Sequence, residues 1–246
     1  MQNAIAVISD IHSNFEALTA VLDDVRLHEV QQVVCLGDII GYASSVQSCM
    51  RAVRELGCPV LLGNHDEAAC LPEPPQDFND TATAGVVFAA ARLSEPDRAW
   101  IKSLPRNLEI EGVVFTHASL ARSFGWPYII SPEDAHRHFA NQTTHLAFCG
   151  HTHKPMLWWQ ESHGGQVTQR TGKEIMPLPS GGKVLVNVGA VGQPRDGDTH
   201  ACYVIHRPEQ DTVEFRRVEY DIKRTKRKII RAGLPRFTAQ RLSLGR

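Results

Sequence analysis

The sequence of 246 residues has no Cys-x-x-Cys pair among its six cysteines, no apolar run near the ~18 residues a membrane span needs, and no Walker loop. The first absence removes a zinc ribbon and a disulfide framework, so Cys35, Cys49, Cys58, Cys70, Cys149 and Cys202 are expected to be mostly buried thiols. The second removes a membrane helix. Met1-Gln2-Asn3 also runs straight into a strand pattern, without a basic segment followed by an apolar one, so a soluble, cytoplasmic protein is expected. The third removes P-loop chemistry, because Gly172-Lys173 and Gly182-Lys183 lack both the Gly five residues earlier and the following Ser or Thr.

Charge of one sign is scarce overall, the net being −1, yet Asp221 to Arg246 holds nine Lys or Arg against one acid and leaves the first 220 residues at −9. Such a basic end is either a solvated helix face with a loose terminus or a contact for an anion or nucleic acid. Lys223, Arg224, Lys226, Arg227 and Lys228 are not interleaved with aromatics that would stack on bases, so nucleic acid is not favoured as a partner. A chain of this length, 42% apolar, fits a single domain over 1–246 with a basic helix and tail over 221–246.

Ala4 to Ser9 reads as a buried strand, and Ser13 as the N-cap of a helix whose Phe15, Leu18, Val21, Leu22 and Val25 recur at three- and four-residue spacing. The unit repeats as 32–36 with 46–56, and as 59–62 with 64–71, predicting a right-handed parallel βαβαβ. Helices are expected over 81–93 and 97–103, a hairpin over 106–116 turning at Glu111-Gly112, and strands over 145–149, 156–160, 183–187, 201–206 and 212–218. A closing helix from Asp221 to Arg231 is stopped by Gly233 and Pro235. The later strands should form a more antiparallel sheet, giving an α/β fold, α+β in part, of two packed mixed sheets flanked by helices.

Five islands follow apolar runs: Asp10-Ile11-His12, Gly37-Asp38, Gly63-Asn64-His65-Asp66, Thr116-His117 and Gly150-His151-Thr152-His153. Individually each reads as a turn, a cap or surface histidines; together they bring seven potential metal ligands to strand ends, where open parallel sheets place ligand sites. Mixed carboxylate, imidazole and amide donors suit Mn, Fe or Zn better than Ca or Mg alone.

In that order the islands resemble the calcineurin-like metallophosphoesterases, over residues 4 to about 206, and most closely a small bacterial phosphodiesterase-like branch. The segment Asn187 to Asp198 also resembles a family segment near the site. The resemblance implies a four-layer α/β/β/α sandwich and two divalent ions, Mn first, with Fe, Zn, Ni or Co possible. Asp10, His12 and His153 would hold one ion and Asn64, His117 and His151 the other, with Asp38 bridging and a shared hydroxide attacking phosphorus. His65 would be the general acid; Asp66 would hold its ring or cap the helix that starts there. The substrate would be a small-molecule or protein phosphoester. Two alternatives are a non-catalytic scaffold of the same fold and a nuclease guided by the basic tail.

Eukaryotic-type Ser/Thr phosphatases carry an Asp-Arg pair after the second motif, and Gly37 to Tyr42 has no such Arg. Arg195 is therefore the candidate anion contact, or else a surface salt bridge, while Tyr42 and Asn64 would face the substrate. Phe124, Trp126 and Tyr128 form either an aromatic wall over the leaving group or core anchors of a long loop. His136 and His138 mimic ligand spacing, but on a helix they diverge by about 200° and are set aside.

Overall fold

A computed structural model describes residues 4–121 and 125–246. In chain order it has β1 (Ile5–Ile8), α1 (Phe15–Arg26), β2 (Gln32–Cys35), α2 (Val46–Glu55), α3 (Asn64–Ala68), α4 (Asp80–Ala90), α5 (Glu95–Ser103), β3 (Asn107–Ile110) and β4 (Val113–Thr116). There follow α6 (Pro132–Phe139), β5 (Leu146–Cys149), β6 (Met156–Gln160), β7 (Val167–Thr171), β8 (Ile175–Pro177), β9 (Lys183–Asn187), β10 (Ala201–Arg207), β11 (Thr212–Val218), α7 (Ile222–Arg231) and α8 (Arg236–Leu242). One sheet runs β2-β1-β10-β11-β8 and the other β3-β4-β5-β9-β6-β7.

The continuous apolar runs exist because the central strands are buried on both faces. Ile5 and Val7 of β1 meet Phe115, Phe148, Val186 and Val204 between the sheets, while Ala6 and Ile8 pack with Leu18, Val21 and Met50 of α1 and α2. Val114, Ala147 and Leu185 point the other way, onto Ala135 and Phe139 of α6. This period-two alternation produces the layers: helices, sheet, sheet, helix.

Sheet membership differs from the sequence expectation of a parallel half followed by an antiparallel half. Parallel pairing joins β1 to β2, β4 to β5 and β5 to β9, so both sheets are mixed. The late strand β10 returns to pair antiparallel with β1, Ile5 opposite His206. Residues 59–62 do not form the third strand: only the Cys35–Val60 bridge remains, because Pro59 has no N–H and the Leu62 N–H donates to the Pro105 carbonyl at 2.8 Å. The cap of α1 is Asn14, whose side chain accepts from Ala17 N at 3.3 Å, while Ser13 takes a left-handed φ of 56°. The hairpin turn at Glu111-Gly112 forms as expected, with φ of 50° and 76°. β7 and β8 lack apolar alternation, being largely exposed edge strands. α7 ends at Arg231, ahead of Gly233 and Pro235 as expected; Pro235 then caps a further helix, α8, whose buried Thr238, Ala239 and Leu242 fall on one face.

The carboxyl ends of β1, β2, β4, β5 and β9 converge on one edge of the sandwich, where their loops are laced by main-chain bonds. Asp10 N donates to Gly37 O at 3.1 Å, His12 N to Asp38 O at 2.9 Å, Gly150 N to His117 O at 3.0 Å and Gly192 N to Asp10 O at 2.8 Å.

Candidate metal centre

All seven expected ligands meet at this edge, and all are buried. His12 Nε2 and His153 Nε2 face each other at 3.0 Å, with Asp10 Oδ1 3.7 Å from the first and 3.2 Å from the second. On the other side His117 Nε2 lies 3.1 Å from Asn64 Oδ1, and His151 joins Asp38 and His117 in one cluster. Asp38 Oδ2 stands between the halves, 3.6 Å from His12 Nε2 and 3.5 Å from His117 Nε2.

Main-chain atoms aim these groups. The Nδ1 atoms of His12, His117 and His153 sit on the carbonyls of Ile40, Leu36 and Gln193 at 3.2, 3.0 and 2.6 Å, which turns each Nε2 inward. His151 is reversed: its Nε2 lies 3.0 Å from the Trp126 carbonyl, freeing Nδ1. Each carboxylate spends one oxygen on an amide, Asp10 Oδ2 on His151 N at 2.9 Å and Asp38 Oδ1 on His65 N at 2.8 Å. The other points into the centre, and Asp10 Oδ1 is buried without a hydrogen-bond partner.

Holding these groups strains the backbone. Of the eleven non-glycine residues with positive φ among the described residues, seven lie in the site loops: Asp10, His12, Ser13, Asp38, Tyr42, His151 and His153. At Gly150 the approach is tighter still, since a Cβ would meet Ser9 Oγ at 2.0 Å and Asp10 Oδ2 at 2.5 Å. Asn187 ties this turn down by donating to Gly150 O at 2.6 Å and Thr152 Oγ1 at 3.0 Å.

Electrostatics set His117 apart from the His151 and His153 imidazoles. Burial, reinforced by Arg195, pushes the His153 imidazole down to about 3, and burial with His117 pushes His151 down to about 4. Burial acts downward on His117 too, but the Asp38, Asp10 and Asp66 carboxylates overcome it and raise it to about 9. Asp10 and Asp38 are held well below the usual carboxylate range despite burial, by the surrounding histidines.

His65 stacks edge-on to His12 at 4.8 Å and beside Phe78 at 4.9 Å, and it also clusters with His12 and Asp38. Burial first, then His12, Arg195 and His153, hold its ring well below the usual histidine range. Asp66 does not hold that ring: its carboxylate accepts from the amides of Ile39, Ile40 and Gly63 at 3.3, 3.1 and 3.3 Å, and His65 Nδ1 has no partner. Asp66 therefore fixes the Asp38 loop to the start of α3, and burial beside Asp38 raises it to about 7. Tyr42 packs on His12 and His65 at 4.8 and 4.7 Å, and the Arg195 guanidinium carbon lies 5.4 Å from the Tyr42 ring centre. Arg195 donates to Gln193 Oε1 at 2.8 Å.

Trp126 and Tyr128 stand at the second half, Trp126 edge-on to His117 at 5.5 Å and Tyr128 stacked on His151 at 3.9 Å. With Phe78, Glu67 and Asp77 they line a cavity of about 230 Å³ that reaches Asn64 and His151. Phe124 lies outside the described residues. His136 binds Gln160 Nε2 at 2.9 Å, and His138 Nδ1 accepts from Leu120 N at 3.1 Å, both away from the metal clusters. Asn14 and Phe78 border the site without being flagged by the sequence motifs, whereas Gln193 falls within the segment Asn187 to Asp198. Asn14 has a signal of its own, as an Asn at the opening of a helix.

A mixed two-sheet sandwich with buried Asp and His clusters at one edge defines the metallophosphoesterase fold. Residues 4–211 match the calcineurin-like phosphoesterase superfamily domain, and the chain belongs to that family. It is 36% identical, over the full length of both chains, to the uncharacterized protein MJ0912 of Methanocaldococcus jannaschii. The crystal structure of a metallophosphoesterase from Sphaerobacter thermophilus is 34% identical, with both chains fully covered and a TM-score of 0.89. The hypothetical protein PH1004 of Pyrococcus horikoshii, 19% identical over 99% of this chain and 98% of that one, shares the fold at a TM-score of 0.79.

Proposed function

We propose that the chain is a dinuclear-metal-dependent phosphoester hydrolase, with Asp10, His12 and His153 on one ion, Asn64, His117 and His151 on the other, and Asp38 shared. The observation that carries this reading is the approach of His12 Nε2 to His153 Nε2 at 3.0 Å while both Nδ1 atoms face carbonyls. Two imidazole lone pairs turned on each other repel unless a cation lies between them, and the unbonded Asp10 Oδ1 beside them supplies the matching charge. The donor set is nitrogen-rich with hard oxygens, which favours Mn and accommodates Fe, Zn, Ni or Co.

Two such ions supply an activated water and positive charge for the phosphoryl oxygens. The chain's own groups do the rest. His65 stands beside His12 to protonate the departing oxygen, the negative charge of the phosphoryl group countering burial of an imidazolium. Arg195, beside Tyr42, would meet phosphoryl charge of the substrate, and Asn64, which lines the cavity, would also hold an ion. The leaving group lies among Phe78, Trp126 and Tyr128.

Chelator-stripped protein reloaded separately with Mn, Ni, Co, Zn and Fe is the test. Hydrolysis of bis(p-nitrophenyl) phosphate or p-nitrophenyl phosphate should appear with Mn, and elemental analysis should approach two ions per chain. No turnover across all five metals, or an empty centre after reloading, would sink the reading and leave the scaffold. The nuclease reading is not favoured, because Arg224 and Lys228 of the basic stretch pair with Glu16 at 3.1 and 2.5 Å.

A further inference from the structure

Residues after 211 lie outside the matched family domain, yet they reach the site. Ile229, Leu234, Ala239 and Leu242 of the α7–α8 region form a small core with Ala43, the neighbour of Tyr42. Gly245 lies against the turn that follows Arg195: a Cβ there would meet Asp198 O at 2.5 Å, and Gly197 N donates to Gly245 O at 3.0 Å. The segment is thus fixed to both loops that border the His12 half of the centre.

It carries Arg241, whose guanidinium carbon stands 5.9 Å from the Tyr42 ring centre, on the ring that Arg195 approaches to 5.4 Å. A backbone oxygen of Arg246 holds Arg241 Nε, and Gln193 holds Arg195, so both guanidinium groups are placed. Among the described residues neither forms an ion pair with an Asp or Glu side chain. Two half-buried like charges share one aromatic ring, and burial together with Arg195 presses Arg241 below the usual guanidinium range.

We propose that Arg195 and Arg241 form an anion subsite beside the metal centre that receives a second phosphoryl group of the substrate. The pair lies on the Tyr42 ring, which itself packs on His12 and His65 at the edge of the centre. Guanidinium forks suit phosphoryl oxygens bidentately. The inference deepens the phosphoesterase reading and rests on it for the orientation of the first phosphoryl group.

The test is calorimetric binding to the Mn-loaded full chain, independent of turnover, with thymidine 5′-monophosphate and thymidine 3′,5′-bisphosphate as probes. The bisphosphate should bind at least about tenfold more tightly, the scale of one hydrogen-bonded charge pair. Arg241→Gln should collapse that ratio to below about twofold, and Arg195→Gln, on a different loop, should do the same, while Arg241→Lys retains part of it. A ratio near one in the unaltered protein, or a ratio that survives both Gln variants, overturns the subsite. Absence of turnover on aryl phosphates with an intact binding ratio would instead count against the phosphoesterase reading alone.

Discussion

The two halves of the metal centre use similar donors in different settings. Asp10, His12 and His153 form a closed corner in which His153 is neutral and its Nε2 faces that of His12. Asn64, His117 and His151 border the aromatic cavity, and His117 keeps a proton up to about 9, with both ring nitrogens beside oxygen acceptors. The closed corner is ready for a cation; the open half must exchange a proton for one.

The comparison breaks most completely at Asp38, which both halves share. Asp38→Asn should empty or disorder the whole centre and reduce turnover by more than about 10³-fold, beyond the loss of a single stabilising donor. Elemental analysis would contradict the bridge if one ion stayed at full occupancy. Next in size is His65→Asn, expected to cost about 10²–10⁴-fold in turnover while metal content holds near two per chain. Loss of the ion beside His12 in that variant would make His65 a ligand of the closed corner instead of an acid.

Titration sharpens the comparison without any substitution. Below about pH 9, affinity for the ion at His117 should fall by up to about tenfold per pH unit as the proton competes, whereas the closed corner should not depend on the His153 proton between pH 6 and 9. Calorimetry in buffers of different ionisation enthalpy would show about one proton released for one ion; equal release at both would remove the distinction. The same raised value has a stability sign: in the metal-free protein the His117 contribution is full below about pH 6.5 and is lost as pH rises through about 9. The smallest effect belongs to Tyr128, stacked on His151 at the cavity wall. Tyr128→Ala should raise KM for aryl esters about two- to tenfold and leave both ions in place; a lost ion would make Tyr128 a support of the open half.

The clustering of the candidate ligands was legible because each island is local: a Gly or an apolar run, then Asp, Asn or His at a strand exit. Their aim was not. The groups that turn His12, His117, His153 and His151 are carbonyls of Ile40, Leu36, Gln193 and Trp126, main-chain atoms that leave no mark in residue type. The left-handed φ of Asp10, His12 and Ser13 is equally silent, since the cost is met by bonds to Gly37, Asp38 and Ile39. Layering was readable from buried apolar runs, but the partners of β1 were not, because burial on both faces says nothing about direction. Arg241 had a signal that went unused: Thr238, Ala239 and Leu242 have helical spacing, and a proline can open a helix as well as close one.

The pairing of β1 with β10 joins Ile5 to His206, and the loop that binds Ser9 and Asp10 comes from residues 191 and 192. During synthesis the first ligands therefore emerge long before the chain that shapes them exists. Contacts of such long sequence separation form late and slowly. The site is then a report on completed folding: a stalled or truncated chain carries Asp10, His12 and Asp38 without the enclosure that residues 191 and 192 complete.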